Sequence, residues 1–183
     1  MNPVQRRLDG RLLELVIGDI TVEGVDAIGN AANSSLRGGG GVDGAIHRAA
    51  GPELLAELRR RYPNGTGTGT AVATDGHRLP ARWVLHAVGP VWSGGERDEA
   101  RLLTGAYQSC LRLADELGAR SLALPAISMG VYGYPPAEGA RVAVATVAEH
   151  LAGGGTSLEL VRFVLRDPTW EPFASAVEEL LPA

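Results

Sequence analysis

Residues 12–17, LLELVI, are apolar almost without interruption and stop at Gly18, which predicts a strand with an exit loop at Asp19-Ile20-Thr21. A second strand is predicted over 25–31 (VDAIGNA), weakened by Gly29, which offers no side chain to pack and should loosen the sheet locally. From about Asp43, the apolar residues Ile46, Ala49, Ala50, Leu54, Leu55 and Leu58 recur at helical spacing in two consecutive stretches, broken near Gly51-Pro52. Residues 70–74 and 83–88 alternate as strands do, about a polar turn at Asp75-Gly76. Leu102, Leu103, Ala106, Cys110, Leu113 and Leu117 mark a helix over 100–117 that Gly118 closes. A strand over 121–127, a loop over 128–136 (SMGVYGYPP), a helix over 137–151, a strand over 158–165 and a last helix opening at Pro168 complete the pattern.

Strands and helices thus mostly alternate, which predicts a three-layer α/β/α sandwich about a mixed, mainly parallel sheet. A chain of 183 residues suits one domain spanning 1–183. In such folds ligands bind beyond the carboxyl ends of the strands. Asp19-Ile20, residues 30–43, residues 128–135 and Arg166-Asp167 all fall at predicted strand ends, so they should line one crevice.

Composition narrows what that crevice can hold. All 17 basic residues are arginine, and without lysine the chain can run neither Schiff-base chemistry nor a Walker-type phosphate loop. A net charge of −4 gives no long-range pull on nucleic acid or anionic membrane, so any phosphate must be gripped locally. The lone Cys110 reads as a small core residue of its helix rather than a nucleophile. No secretory leader or membrane-spanning stretch is predicted, which makes the cytoplasm the expected compartment.

Two glycine loops answer the need for a local grip. Gly38 to Gly41 precede a predicted helix, where free amides and the positive helix end form an anion site without a cationic side chain. Ser128-Met129-Gly130-Val131-Tyr132-Gly133 repeats the device, and two such loops facing each other would hold a diphosphate. Asp43 fits either a helix N-cap or a carboxylate that orients a water beside the bound anion. His47, four residues on, is either a base or a satisfied core histidine. Asp19 suits a turn as well as a ligand contact, and Asn30 and Asn33 suit local backbone bonding as well as ligand contact.

The stretch 30–51 (NAANSSLRGGGGVDGAIHRAAG), with Gly18-Asp19-Ile20-Thr21, His86-Ala87-Val88-Gly89-Pro90 and residues 127–135 (ISMGVYGYP), resembles the macrodomain family, and within it the MacroD-type ADP-ribose hydrolases. The resemblance runs from about residue 12 to about residue 180. It implies an ADP-ribose pocket in which Asp19 accepts the adenine amino hydrogen beside the Ile20 amide. Asn33 would hold the distal ribose and count with Asp43 as catalytic, and Asn30 would contact the substrate. The amides of Gly40, Gly41, Val42, Ser128, Gly130, Val131 and Tyr132 would wrap the phosphates, with Met129 and Gly133 in the same loop and the Tyr132 ring against the sugar. Asp43 would orient the attacking water.

The implied activity is removal of single ADP-ribose units from aspartate or glutamate and deacetylation of O-acetyl-ADP-ribose, without metal or other cofactor. Mono-ADP-ribosylated proteins are the implied partners, and a monomer is expected. Two rivals stay open: a module that binds ADP-ribose without turnover, and a phosphatase acting on ADP-ribose 1″-phosphate. Three positions depart from the family pattern. Met129 stands where a threonine is common, Arg166 where an aromatic often covers adenine, and Gly29 where a branched residue is usual.

Overall fold

The computed structural model describes residues 2–183. Seven strands form one sheet: β1 (Val4–Leu8), β2 (Arg11–Ile17), β3 (Ala27–Ala31), β4 (Ala71–Asp75), β5 (Trp83–Ala87), β6 (Ser121–Leu124) and β7 (Leu160–Leu165). Their order is β1-β2-β7-β6-β3-β5-β4. The inner strands β2, β7, β6, β3 and β5 run parallel, while β1 and β4 pair antiparallel at the two edges. This is the mixed, mainly parallel sheet that the alternation predicts.

Helices cover both faces because the inner strands are apolar on both sides. On one face Leu13, Leu15, Leu85, Leu122, Leu124 and Phe163 lie under α3 (Glu99–Glu116), α4 (Pro136–Ala152) and α5 (Trp170–Leu180). There Phe163 meets Tyr107 of α3 edge-on at 6.1 Å and Phe173 of α5 at 5.0 Å. Burying each such ring contributes about 1.5–3 kcal/mol. On the other face Ile28, Val84, Ala123 and Val164 carry Ile46 of α1 (Gly41–Ala50) and Leu54 and Leu58 of α2 (Pro52–Arg61). Cys110 is fully buried in the first of these layers, and burial pushes its thiol up to about 12, as a core residue requires.

The structure departs from the predicted elements at informative places. Strand β1 was not predicted: Val-Gln-Arg-Arg-Leu is an edge strand whose alternate residues face solvent, so its apolar signal is weak. The sixth strand stops at Leu124, before the predicted 127, because Pro125 has no amide to continue the ladder. That early stop releases residues 126–132 into the crevice. Gly29 does not loosen β3: a Cβ there would lie 2.8 Å from Leu124 Cδ2 and 3.3 Å from Pro125 Cδ, so neighbouring side chains already fill the space.

Candidate functional site

A cavity of about 880 Å³ opens at the carboxyl ends of β2, β3, β6 and β7, lined by the segments predicted to converge there. Its walls come from Gly18 to Ile20, Ala31 to Asn33, Gly39 to Asp43, Pro125 to Tyr132 and Val164 to Thr169. Parallel strands end at the same edge of a sheet, so four loops distant in sequence open onto one space.

The first glycine loop enters α1 with Gly38 at φ +86° and Gly41 at φ +56°, backbone states that residues with a Cβ adopt at a cost. The helix N-cap is Gly40. Backbone amides of Gly40, Gly41 and Val42 donate to no acceptor among the described residues and stand at the positive end of α1. In the second loop, Met129 N–H bonds Ala126 O, Gly133 N–H bonds Gly130 O and Tyr134 N–H bonds Ser128 O. That leaves the amides of Ser128, Gly130, Val131 and Tyr132 without a protein partner among the described residues, beside the cavity.

The core holds this second loop in place. Tyr107 donates its hydroxyl to Pro125 O and accepts from Ile127 N–H, both at 2.9 Å, and burial raises the pKa of the phenol so that it stays protonated. On the outer side, Trp92 N–H bonds Tyr132 O at 2.8 Å, and the Trp92 ring packs 4.8 Å from that of Tyr134. Met129 faces the cavity in part, but its thioether rests on Gly139 of α4, where a Cβ would come within 2.9 Å of Sδ.

Asp43 is not a cap. It sits in the first turn of α1 after Gly40, is 5% exposed, and its side chain bonds no amide of its own helix. Its Oδ1 accepts from Asn30 Nδ2 at 2.8 Å and lies 3.4 Å from His47 Nε2, one helical turn on. Its Oδ2 lies toward Gly39, 3.4 Å from where a Cβ would be, and Asn33 Nδ2 is 3.6 Å from the same point. A glycine at 39 thus leaves room between the carboxylate and Asn33. Asn33 is itself tied down: it donates to Gly38 O at 2.9 Å and accepts from Ser35 Oγ at 2.7 Å. It bonds local backbone and lines the cavity at once.

Asn30 meets a different placement from the ligand contact expected of it. It is fully buried and absent from the cavity wall, because its strand position points it under α1 against Asp43. Gly133 is exposed and closes its turn outside the cavity wall. His47 packs beneath Gly38, with its ring 3.7 Å from that glycine's Cβ position, and does not line the cavity.

At the far end, Asp19 caps the short 3₁₀ turn Ile20–Val22. One oxygen, Oδ1, accepts from Thr21 Oγ1 at 2.7 Å and Thr21 N–H at 2.9 Å, which leaves Oδ2 toward solvent. The Thr21 hydroxyl, then its amide, then the Arg166 charge hold this carboxyl below its ordinary range, so it is an ionised acceptor. Arg166 leaves the neighbouring strand β7 and is exposed on the same rim.

Two cavity-wall residues belong to the sequence motifs but receive no site role there: Arg48, from the outer face of α1, and Gly89. Gly89 lies against the second loop, where a Cβ would be 2.1 Å from Ser128 Oγ. A third residue, His86, had been read only as part of a motif. It is fully buried between Asn30 and Thr74, and burial drives its pKa from 6.5 to about 3. The unfolded chain therefore takes up this proton below pH 6.5 while the folded chain refuses it until about pH 3. The cost to stability grows as pH falls through that window, by at most about 1.4 kcal/mol per pH unit, and is absent above it. Guanidinium unfolding between pH 7 and pH 5 should show this slope, and His86→Asn should flatten it.

Among the described residues no group of three His, Cys, Asp or Glu side chains is arranged to hold a metal ion, and no helix is long and apolar enough to cross a membrane.

Comparison with known proteins agrees with this geometry. A Macro domain-containing protein of Streptomyces griseus is 58% identical over 160 residues, spanning 85% of this chain and 88% of its own. An Enterobacter protein named O-acetyl-ADP-ribose deacetylase is 59% identical over 141 residues, 76% of this chain and 78% of its own. The Oceanobacillus iheyensis macrodomain with ADP superposes with a TM-score of 0.92 at 38% identity, over 98% of this chain and 97% of that one. With the Macro domain profile matching residues 29–143 and the crevice built from the same segments, the chain belongs to the macrodomain family.

Proposed function

We propose that this protein, acting as one macrodomain unit over 1–183, binds ADP-ribose in the crevice and hydrolyses esters on its distal ribose. The substrates are O-acetyl-ADP-ribose and proteins mono-ADP-ribosylated on aspartate or glutamate. One observation carries the reading: a nearly buried carboxylate, Asp43, is held by one oxygen from behind and meets the cavity between two rows of unpartnered amides. A module that only bound the nucleotide would have no use for a carboxylate there, since a negative charge beside a diphosphate weakens binding. The solved Oceanobacillus iheyensis and Trypanosoma brucei macrodomains with ADP and ADP-ribose, and the deacetylase name of the Enterobacter relative, support the same reading.

In this reading Asp19 and the Ile20 amide take adenine at the outer end, with Arg166 over the base. Gly40, Gly41, Val42, Ser128, Gly130, Val131 and Tyr132 neutralise the two phosphates through backbone amides, as a helix N-terminus and a loop nest do for other anions. Asn33 and the Tyr132 ring set the distal ribose. Asp43, through Oδ2 and with help from a substrate phosphate oxygen, orients a water onto the ester. The bond between ribose and acyl group breaks, the acid leaves, and ADP-ribose is released. No step uses a metal, and the protein acts as a monomer in the cytoplasm.

The test incubates the purified protein, with a chelator present, with O-acetyl-ADP-ribose and with a glutamate-linked mono-ADP-ribosylated protein. Wild type is expected to release ADP-ribose from both. Tight binding with no release would make it a binding module instead, and release of inorganic phosphate from ADP-ribose 1″-phosphate would make it a phosphatase. Asp19→Ala is expected to weaken ADP-ribose binding by about 10-fold or more, as loss of a charge-assisted bond does, while sparing ribose phosphate. Equal calorimetric losses for the two ligands would remove adenine from Asp19.

A further inference from the structure

Behind Asp43 a row of polar side chains crosses the sheet. Asn30 on β3 and His86 on β5 are register partners on adjacent parallel strands, so their side chains share a face. Thr74 on the antiparallel edge strand β4 lies diagonally beyond, next to Val72, which pairs with His86. The contacts are Thr74 Oγ1 to His86 Nε2 at 2.9 Å, His86 Nδ1 to Asn30 Nδ2 at 3.1 Å, and Asn30 Nδ2 to Asp43 Oδ1 at 2.8 Å. Thr74, His86 and Asn30 are at most 1% exposed, on a face otherwise packed with Ile28, Val84 and Ile46.

Hydrogen-bond direction along this row is determined from one end. Asp43 as a carboxylate can only accept, so the Asn30 amide nitrogen faces it. The second proton of that nitrogen points at His86 Nδ1, which must then be bare, and the neutral ring carries its single proton on Nε2, toward Thr74. The amide oxygen of Asn30 is buried without a partner, so nothing on that side keeps the amide from turning over. Only the two N–H bonds hold its orientation. Turned over, it would set its oxygen against the Asp43 carboxylate and let the side chain swing.

We propose that His86 is a positioning residue for the hydrolytic step: its bare Nδ1 holds the Asn30 amide, which pins Asp43 Oδ1 and leaves Oδ2 aimed into the cavity. The inference rests on Asp43 orienting the water. Its consequence is that a side chain outside the cavity wall controls turnover while leaving nucleotide binding alone, because the amide cradles are built from other segments. The charged and titratable groups facing the ring are His47, with ring centroids 6.4 Å apart, Asp43 on the same helix and Glu57 on α2. A protonated ring would turn an N–H onto the Asn30 amide protons, so the neutral form that its burial enforces is the one that works.

Two substitutions separate the atoms of the ring. His86→Asn places an amide near the Nδ1 position and keeps an acceptor for Asn30, whereas His86→Gln reaches the Nε2 position and supplies none there. With O-acetyl-ADP-ribose, His86→Gln is expected to lower kcat by about tenfold or more, as a carboxylate displaced by a fraction of an ångström does. KM and the calorimetric affinity for ADP-ribose should stay within about twofold. His86→Asn should recover most of the lost kcat, and His86→Gln should add no loss to Asn30→Ala. Unchanged kcat in His86→Gln, a parallel loss of affinity, or His86→Asn as slow as His86→Gln would each overturn the proposal. Nitrogen-15 imidazole spectra of wild type give a readout independent of turnover. The Nε2–H tautomer at neutral pH is required, and an Nδ1–H or charged ring overturns the row. Wild type that shows this tautomer yet hydrolyses nothing would refute the hydrolase reading alone.

Discussion

Asp43→Ala is expected to abolish most of the hydrolysis, lowering kcat on O-acetyl-ADP-ribose by about 100-fold or more, the scale on which a positioned base or water-orienting group acts. Affinity for ADP-ribose should hold or rise. In the proposed site the same substitution removes a negative charge from beside the diphosphate, while the unpartnered amides proposed to grip the phosphates belong to other residues. Single-turnover assays paired with calorimetry measure both quantities. Stability should fall modestly, because Asn30 Nδ2 and the amide end of α1 lose a buried anion. Asp43→Asn keeps the volume and reports the charge alone. If the variants lost rate and affinity together, Asp43 would be part of the binding wall and the water would have to be oriented elsewhere.

Gly44→Ala should produce the second large effect, and its sign is informative. Gly44 lies inside α1, where alanine ordinarily stabilises a helix by about 1 kcal/mol over glycine. Here the added methyl would sit 2.5 Å from Gly39 O and 3.0 Å from Arg48 Nη1. Arginine can move aside, but a backbone carbonyl moves only with its loop. The loop that must shift is the one whose glycines present unpartnered amides to the cavity. We expect a net loss of about 1–3 kcal/mol, as for overpacking elsewhere, a Tm lower by about 5 °C and ADP-ribose affinity down by about 10-fold. A raised Tm with unchanged affinity would show that the loop does not rest on this helix.

These two neighbouring residues also show where local sequence stops being informative. Four glycines ahead of an apolar helical pattern announce a helix start, yet the first capped residue within them is decided by how the loop seats on the sheet. The cap fell on Gly40, and Asp43, expected either at the cap or at a ligand, came to rest in the first turn with its side chain free for Asn30. Asp19 shows the opposite case. Its turn role and its place on the cavity rim are both visible in the structure, because a carboxylate has two oxygens and Thr21 occupies one. Gly29 reads as a weak point of β3, but packing makes it a requirement, since Leu124 approaches from β6, far along the chain.

What the sequence determined unaided is the class of fold, together with the expectation of how an anion would be held. Apolar runs of strand length alternating with helical periods dictate a layered sheet, and in a chain without lysine an anion bound at the glycine loops would be held by main-chain amides. Those are consequences of local backbone preference and of which donors the chain owns. Only the tertiary structure decided that Asn30 turns away from the cavity, that His86 stands beside it, and which oxygen of Asp43 stays free. Such relations depend on the register between parallel strands, where Asn30 and His86 meet across 56 positions of chain, and no local pattern encodes a distance of that kind.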